Sequence, residues 1–84
     1  MSKQSIEECV RTSLEKYFKD LDGEPAHDVY GMMMRTVERP VLEVVMGRVD
    51  GNQSQAAAIL GINRNTLRKK LTERGIDPAA SRRG

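Results

Sequence analysis

Apolar residues recur along this chain at helical spacing, in stretches separated by turn-forming residues. In the first stretch, Ile6, Cys9, Val10, Leu14, Tyr17, Phe18 and Leu21 fall three or four residues apart or directly beside such a position, which places them on one helical face. Ser5 stands where an N-cap is expected, and Glu7 and Glu8 follow in the first turn, where the helix dipole favours acids. The spacing predicts helix one over about residues 6–20. The segment DLDGEPAHD (20–28) contains glycine, proline and four acids and reads as a loop.

A second helix is expected to begin at Ala26 or His27 and to run to about Val49. Val29, Tyr30, Met33, Met34, Val37, Val41, Val44, Val45 and Val49 mark one face, while Leu42 and Met46 add apolar surface on another. Residues 41–46, VLEVVM, are therefore apolar nearly all round except at Glu43, the pattern of a helix buried on more than one side. Pro40 interrupts this helix. It removes one backbone hydrogen bond and crowds the preceding turn, so a kink is expected. The apolar spacing continues across it without a turn signal, which favours one kinked helix over two separate ones.

DGN (50–52) closes the second helix, and Asn52 with Gln55 three residues on forms a capping-box-like start for a third, about 53–60. Gly61 turns the chain, Asn63 caps a fourth helix over about 64–74, and Gly75 stops it. Leu67 and Leu71 stand at i, i+4 and point inward, with Ile62 beside them. Residues 78–84 have almost no apolar anchor, so this tail is expected to fray. The chain thus reads as all-α with four helices: residues 1–50 as an N-terminal helical region, 51–77 as a helix-turn-helix, and 78–84 as a tail.

Eighty-four residues allow one small domain with a modest core, which points to association or very regular helix packing. The apolar surface at 41–46 has the character of a core shared between two copies, and Val37, Val41, Leu42, Val44, Val45 and Met46 are assigned to it. The formal net charge of +2 hides a division. Residues 1–50 carry seven Lys/Arg against ten Asp/Glu, whereas residues 51–84 carry seven Lys/Arg against two Asp/Glu. The basic half is the one suited to a polyanion. One cysteine excludes an internal disulfide framework. No apolar run is long enough to span a membrane, and no signal-peptide pattern appears, so a cytoplasmic setting is expected.

The decade GINRNTLRKK (61–70) gives the basic half its purpose. Two helices joined by a tight glycine-containing turn, with the small Ala57 in the first and Ile62 and Leu67 beyond the turn, fit a helix-turn-helix. With Leu67 and Leu71 inward, Arg64, Arg68 and Lys69 fall on exposed faces near the N-terminal end, the end that enters the major groove first. An arginine there can take guanine O6 and N7 in a bidentate contact. Capped helix ends offer N–H groups to phosphates, and Ser54, Thr66, Lys70 and Arg74 suit the flanking backbone. Double-stranded DNA is the expected partner.

At these residues the chain resembles the bacterial Fis proteins, the factors for inversion stimulation. The likeness is strongest in GNQSQAAAILGINRNTLRKKLTERGID (51–77), extends back through ERPVLEVVM (38–46) and SLEKYFKDL (13–21), and covers about residues 6–77. The segment GINRNTLRKKL is shared with the DNA-binding domains of NtrC-type enhancer-binding proteins; the upstream helices, with proline in the second, favour Fis. The resemblance implies an intertwined homodimer, nucleoid-associated, that bends DNA at degenerate pseudo-palindromic sites with a guanine near each end and an A/T-rich centre. Carried over by position, Arg64 would read that guanine, with Asn63 on neighbouring bases and Lys69 on bases or backbone. Asn52, Ser54, Thr66, Arg68 and Lys70 would hold phosphates; Arg74 joins them on charge and position alone. Nucleoid organisation and transcription control are the implied roles, with RNA polymerase or other transcription proteins as candidate partners. Fis proteins that activate DNA invertases carry a β-hairpin arm ahead of helix one, whereas only Met1 to Ser5 precede the expected helix here, which argues against an invertase partner.

Two alternatives stay open at this level: a stand-alone output domain of an NtrC-type regulator, and a dimeric helical module whose basic helices dock on an acidic protein. Catalysis is not expected, and no cofactor or metal is implied. His27, the single histidine, sits at an expected helix start, and Cys9 on an apolar face reads as a buried structural thiol. No glycine-rich phosphate loop or metal-ligand cluster is present. The methionines at 32–34 read as packing residues.

Overall fold

The computed structural model describes residues 3–78 and has four helices: α1 (Lys3–Leu21), α2 (Val29–Arg48), α3 (Gln53–Leu60) and α4 (Arg64–Arg74). No strand occurs among the described residues. The all-α class and the order of helices agree with the periodicity of the sequence; two starting points do not. α1 begins at Lys3, so Ser5 lies inside its first turn instead of capping it. α2 begins at Val29, because Asp28 adopts a left-handed conformation (φ 52°, ψ 39°) that breaks any helix arriving from Ala26 or His27. The Asp28 carboxylate makes no capping bond and instead takes Arg35 Nη2 at 3.1 Å. Gly31 leaves room for that bridge, since a β-carbon there would lie 2.5 Å from Asp28 Oδ1.

α2 runs uninterrupted through Pro40. Thr36, whose carbonyl loses its usual partner, and Pro40 are both exposed, so the missing bond lies where water can replace it. The helix then contributes Leu42 and Met46 to the one buried cluster, with Ala56, Ala57, Leu67, Leu71 and Ile76. Val45, Val49, Leu60 and Ile62 pack around it. α3 packs on both α2 and α4. Ala56 and Ala57 of α3 are buried; side chains no larger than methyl allow this close approach.

α3 and α4 end in the same way. Gly61 and Gly75 take left-handed φ values of 73° and 67°, and the isoleucine after each donates its N–H five residues back, Ile62 to Ala57 at 3.1 Å and Ile76 to Leu71 at 2.9 Å. This Schellman geometry satisfies end carbonyls and folds the isoleucine onto the helix it follows. Ile76 thereby joins the core.

The six residues that the sequence assigns to a core between subunits divide. Met46 and Leu42 are 0% and 2% exposed within the single chain, taken up by the cluster with α3 and α4. Val45 is half-buried, whereas Val37, Val41 and Val44 are exposed, Val44 at 70%. α1 buries none of its residues, so Cys9 is exposed, contrary to the expectation of a buried thiol. The chain is also elongated: its radius of gyration is 15.3 Å, against about 12 Å for a compact domain of this length. Beyond Pro78, the expected fraying of the tail falls outside the described residues.

Leu67 is fully buried, so Leu67→Ala should lower stability by about 2–5 kcal/mol in denaturant unfolding. Gly61→Ala puts a side chain into a left-handed turn and should cost about 1–2 kcal/mol. If Leu67→Ala costs no more than Gly61→Ala, the buried cluster is not what holds α4.

Candidate nucleic-acid interface

The turn between α3 and α4 is held by side chains that the sequence marks as caps. Asn52 Oδ1 accepts the Gln55 N–H at 3.1 Å, and Asn63 Oδ1 accepts the Asn65 N–H at 2.7 Å. Both bonds satisfy N–H groups at a helix start. The Asn63 carboxamide thus keeps its NH2 for an outside partner while its oxygen is engaged. Leu67 and Leu71 fix which side of α4 faces inward.

The basic residues of α4 then fall into two groups. Arg64 and Lys69 are exposed and have no charged partner among the described residues. Arg68 donates to the neutral Asn65 Oδ1 at 3.1 Å and so keeps its full charge. Ser54, Thr66 and the Asn52 side chain lie at exposed positions beside the two helix starts.

Lys70 and Arg74 have an acidic partner on α2. Both turn toward α2 and pair with Glu38. Lys70 Nζ lies 2.7 Å from Glu38 Oε2, and Arg74 reaches Oε1 with Nε at 2.8 Å and Nη2 at 2.7 Å. Both oxygens of this carboxylate are engaged, and its side chain is 24% exposed. Next to it, Arg39 donates through Nη2 to the Arg74 carbonyl, at the negative end of the α4 dipole, and through Nη1 to Glu43 at 3.1 Å. Reasoning from sequence missed Glu38 and Arg39, although the signal was there. Glu38 precedes Leu42 by four residues on the same stripe of α2, and Lys70 and Arg74 follow Leu67 and Leu71 by three.

The chain also matches known proteins. A model of the Fis family of bacterial regulatory proteins matches residues 33–73, from the second turn of α2 nearly to the end of α4. A protein of Ralstonia nicotianae described as Fis-like and DNA-binding is 55% identical over 76 residues, covering 90% of this chain and 99% of the relative. The chain belongs to the Fis family. A Fis-like relative from Neisseria meningitidis serogroup A is 52% identical over 71 residues, 84% of this chain and 90% of that one. The DNA-binding protein Fis of Actinobacillus succinogenes is 45% identical over 76 residues, 90% of this chain and 77% of that one. The likeness to Fis therefore reaches α1 and the whole of α2, beyond the segment matched by the family model. No helix among the described residues is long and apolar enough to cross a membrane.

The Lys70 ammonium first, and then the Arg74 guanidinium, hold the Glu38 carboxyl below its ordinary value of 4.5, against a smaller upward push from partial burial. A carboxyl whose folded value is depressed stabilises the fold above its unfolded value and loses that contribution as pH falls through the folded one. Glu38→Gln should therefore be less stable than the unsubstituted chain above pH 4.5, and the gap should close as the pH is lowered further. Thermal unfolding of both proteins across this range checks it; a gap independent of pH would show that the carboxylate charge contributes nothing.

Proposed function

We propose that this chain is a homodimeric DNA-binding and DNA-bending protein that acts in nucleoid organisation and transcription control. The observation that carries the reading is the free, capped N-terminal end of α4, with Arg64, Arg68 and Lys69 outward and Leu67 and Leu71 inward. A helix presented this way enters a major groove with its first turns. Arg64 reads a guanine through O6 and N7, Asn63 reaches neighbouring bases, Lys69 takes a base or the backbone beside it, and Asn52, Ser54, Thr66 and Arg68 hold phosphates. The names of the Ralstonia and Actinobacillus relatives support DNA as the partner.

Homodimerisation rests on the unfinished packing of α1 and the first half of α2. A groove of about 450 Å³ between them is lined by Val10, Leu14, Val29, Met33, Met34 and Val37 among others. Tyr30, Met34, Val37, Val41 and Val44 stand exposed. An apolar surface of this extent on so small a chain marks an interaction face. A second copy covers it, since its own face is self-complementary under a two-fold axis. Two copies of α4 held apart by that core read two half-sites, and a groove spacing that does not match straight duplex is met by bending it.

Affinity should fall steeply with salt. Three free cations on α4 in each of two subunits correspond to about six phosphates and a slope of log K against log salt of roughly −5. Arg64→Ala should cost about 1–3 kcal/mol per lost base contact and erase the preference for guanine at the site ends. Gel shifts on a guanine-ended duplex and on the same duplex with those guanines replaced measure both. A flat salt dependence would favour an acidic protein partner, and an Arg64→Ala variant that kept the guanine preference would remove Arg64 as the reader.

Sedimentation should show a dimer at low micromolar concentration, with an unfolding midpoint that rises with protein concentration. Val44→Asp places a charge on the exposed apolar face and should abolish the dimer. A folded monomer of the unsubstituted chain would contradict this assembly.

A further inference from the structure

On the reading of α4 as the DNA-contacting helix, we propose that Glu38 masks Lys70 and Arg74 from the DNA backbone and so confines the phosphate-binding surface of α4 to its first two turns. Three observations on different residues lead there. First, the two cations meet opposite oxygens of one carboxylate, at 2.7 Å from Lys70 and 2.7–2.8 Å from Arg74. Neither oxygen is left to bind a third cation, and both cations have a partner already paired. Second, these contacts are partly withdrawn from solvent: the side chains of Lys70 and Arg74 are 36% and 28% exposed, whereas Arg64, Arg68 and Lys69 lie fully on the open side. Charge pairs shielded in this way are screened less by salt than exposed ones, so phosphate competes for them poorly. Third, the pairing is in register with the core. Glu38 lies one turn before Leu42 on α2, and Lys70 and Arg74 lie just after Leu67 and Leu71 on α4; all three leucines are buried in the same cluster. The apolar contact that seats α4 brings the acid to the two cations.

Arg39 completes the arrangement by taking the Arg74 carbonyl at the end of α4. The trailing half of the helix is therefore tied to α2 through its side chains and its last carbonyl together. Glu38 acts as a positioning and charge-setting residue; it is not a DNA contact. It leaves +3 from Arg64, Arg68 and Lys69 at the front of the helix and offsets one of the two charges behind them.

The test compares salt slopes of duplex binding for four single variants of the full chain, each checked for helicity by circular dichroism. Lys69→Gln removes a free cation and should flatten the slope by about 0.9 per subunit. Lys70→Gln removes a masked one and should leave the slope as it is. Glu38→Gln unmasks both cations and should steepen the slope by up to about 1.8 per subunit, about 0.9 for each, relative to Glu15→Gln, which removes the same charge from the exposed surface of α1. A role in folding alone would lower stability without moving these slopes. Lys70→Gln flattening the slope as much as Lys69→Gln overturns the masking, and this comparison decides the matter even if Glu38→Gln fails to fold. If the unsubstituted chain shows no salt-dependent duplex binding, the DNA-binding reading falls and the masking falls with it; if it binds and only the Lys70 and Lys69 variants coincide, the masking alone falls.

Discussion

Seven buried side chains decide where α4 points, and α4 decides what the protein can touch. Met46 and Leu67 are the largest fully buried side chains, and Leu42, Leu71, Ile76, Ala56 and Ala57 close around them. A helix has only one way to bury Leu67 and Leu71 together. Once they are inside, Arg64, Arg68 and Lys69 must be outside, and Lys70 and Arg74 must lie on the shoulder that meets α2. The polar surface is thus a consequence of apolar packing, and no separate device is needed to aim these residues.

The two ends of α4 receive opposite treatment. Its N-terminal end is capped by Asn63 and otherwise left open to an anion, which is where the helix dipole is positive. Its C-terminal end is closed by Gly75, Ile76 and the Arg39 guanidinium, and its cations are taken by Glu38. Elsewhere the single chain is incomplete. α1 buries nothing, and the valines of α2 at 37, 41 and 44 face outward. The second half of α2 thus serves the helix-turn-helix from one side while its opposite side, in the proposed dimer, serves the partner copy. That double duty accounts for the apolar character of residues 41–46 all round the helix.

Much of this was legible in the sequence. Periodicity, Asn52, Asn63, Gly61 and Gly75 give α3 and α4 to the residue, because caps and left-handed glycines are local chemistry. Arg64, Arg68 and Lys69 follow from the positions of Leu67 and Leu71. Less was legible where a residue depends on a partner distant in the chain. The start of α2 was misplaced because Asp28 breaks the helix by its own backbone conformation and gives its carboxylate to Arg35 instead of capping. Charge alone cannot show that Glu38, more than thirty residues earlier, reaches Lys70 and Arg74. Leu42 and Met46 could be recognised as buried, but not as buried inside their own chain.

Packing divides the cations of α4 into an open set, Arg64, Arg68 and Lys69, and a set held by Glu38. The most direct test follows the lysine ammonium and arginine Nε–H signals by 1H–15N correlation NMR as duplex DNA is added. The account predicts that the Arg74 Nε–H is already protected in the free protein, that Arg64 and Lys69 shift or become protected only with DNA, and that Lys70 and Arg74 stay where they were. If Lys70 and Arg74 shift with DNA as far as Lys69 does, the division does not exist.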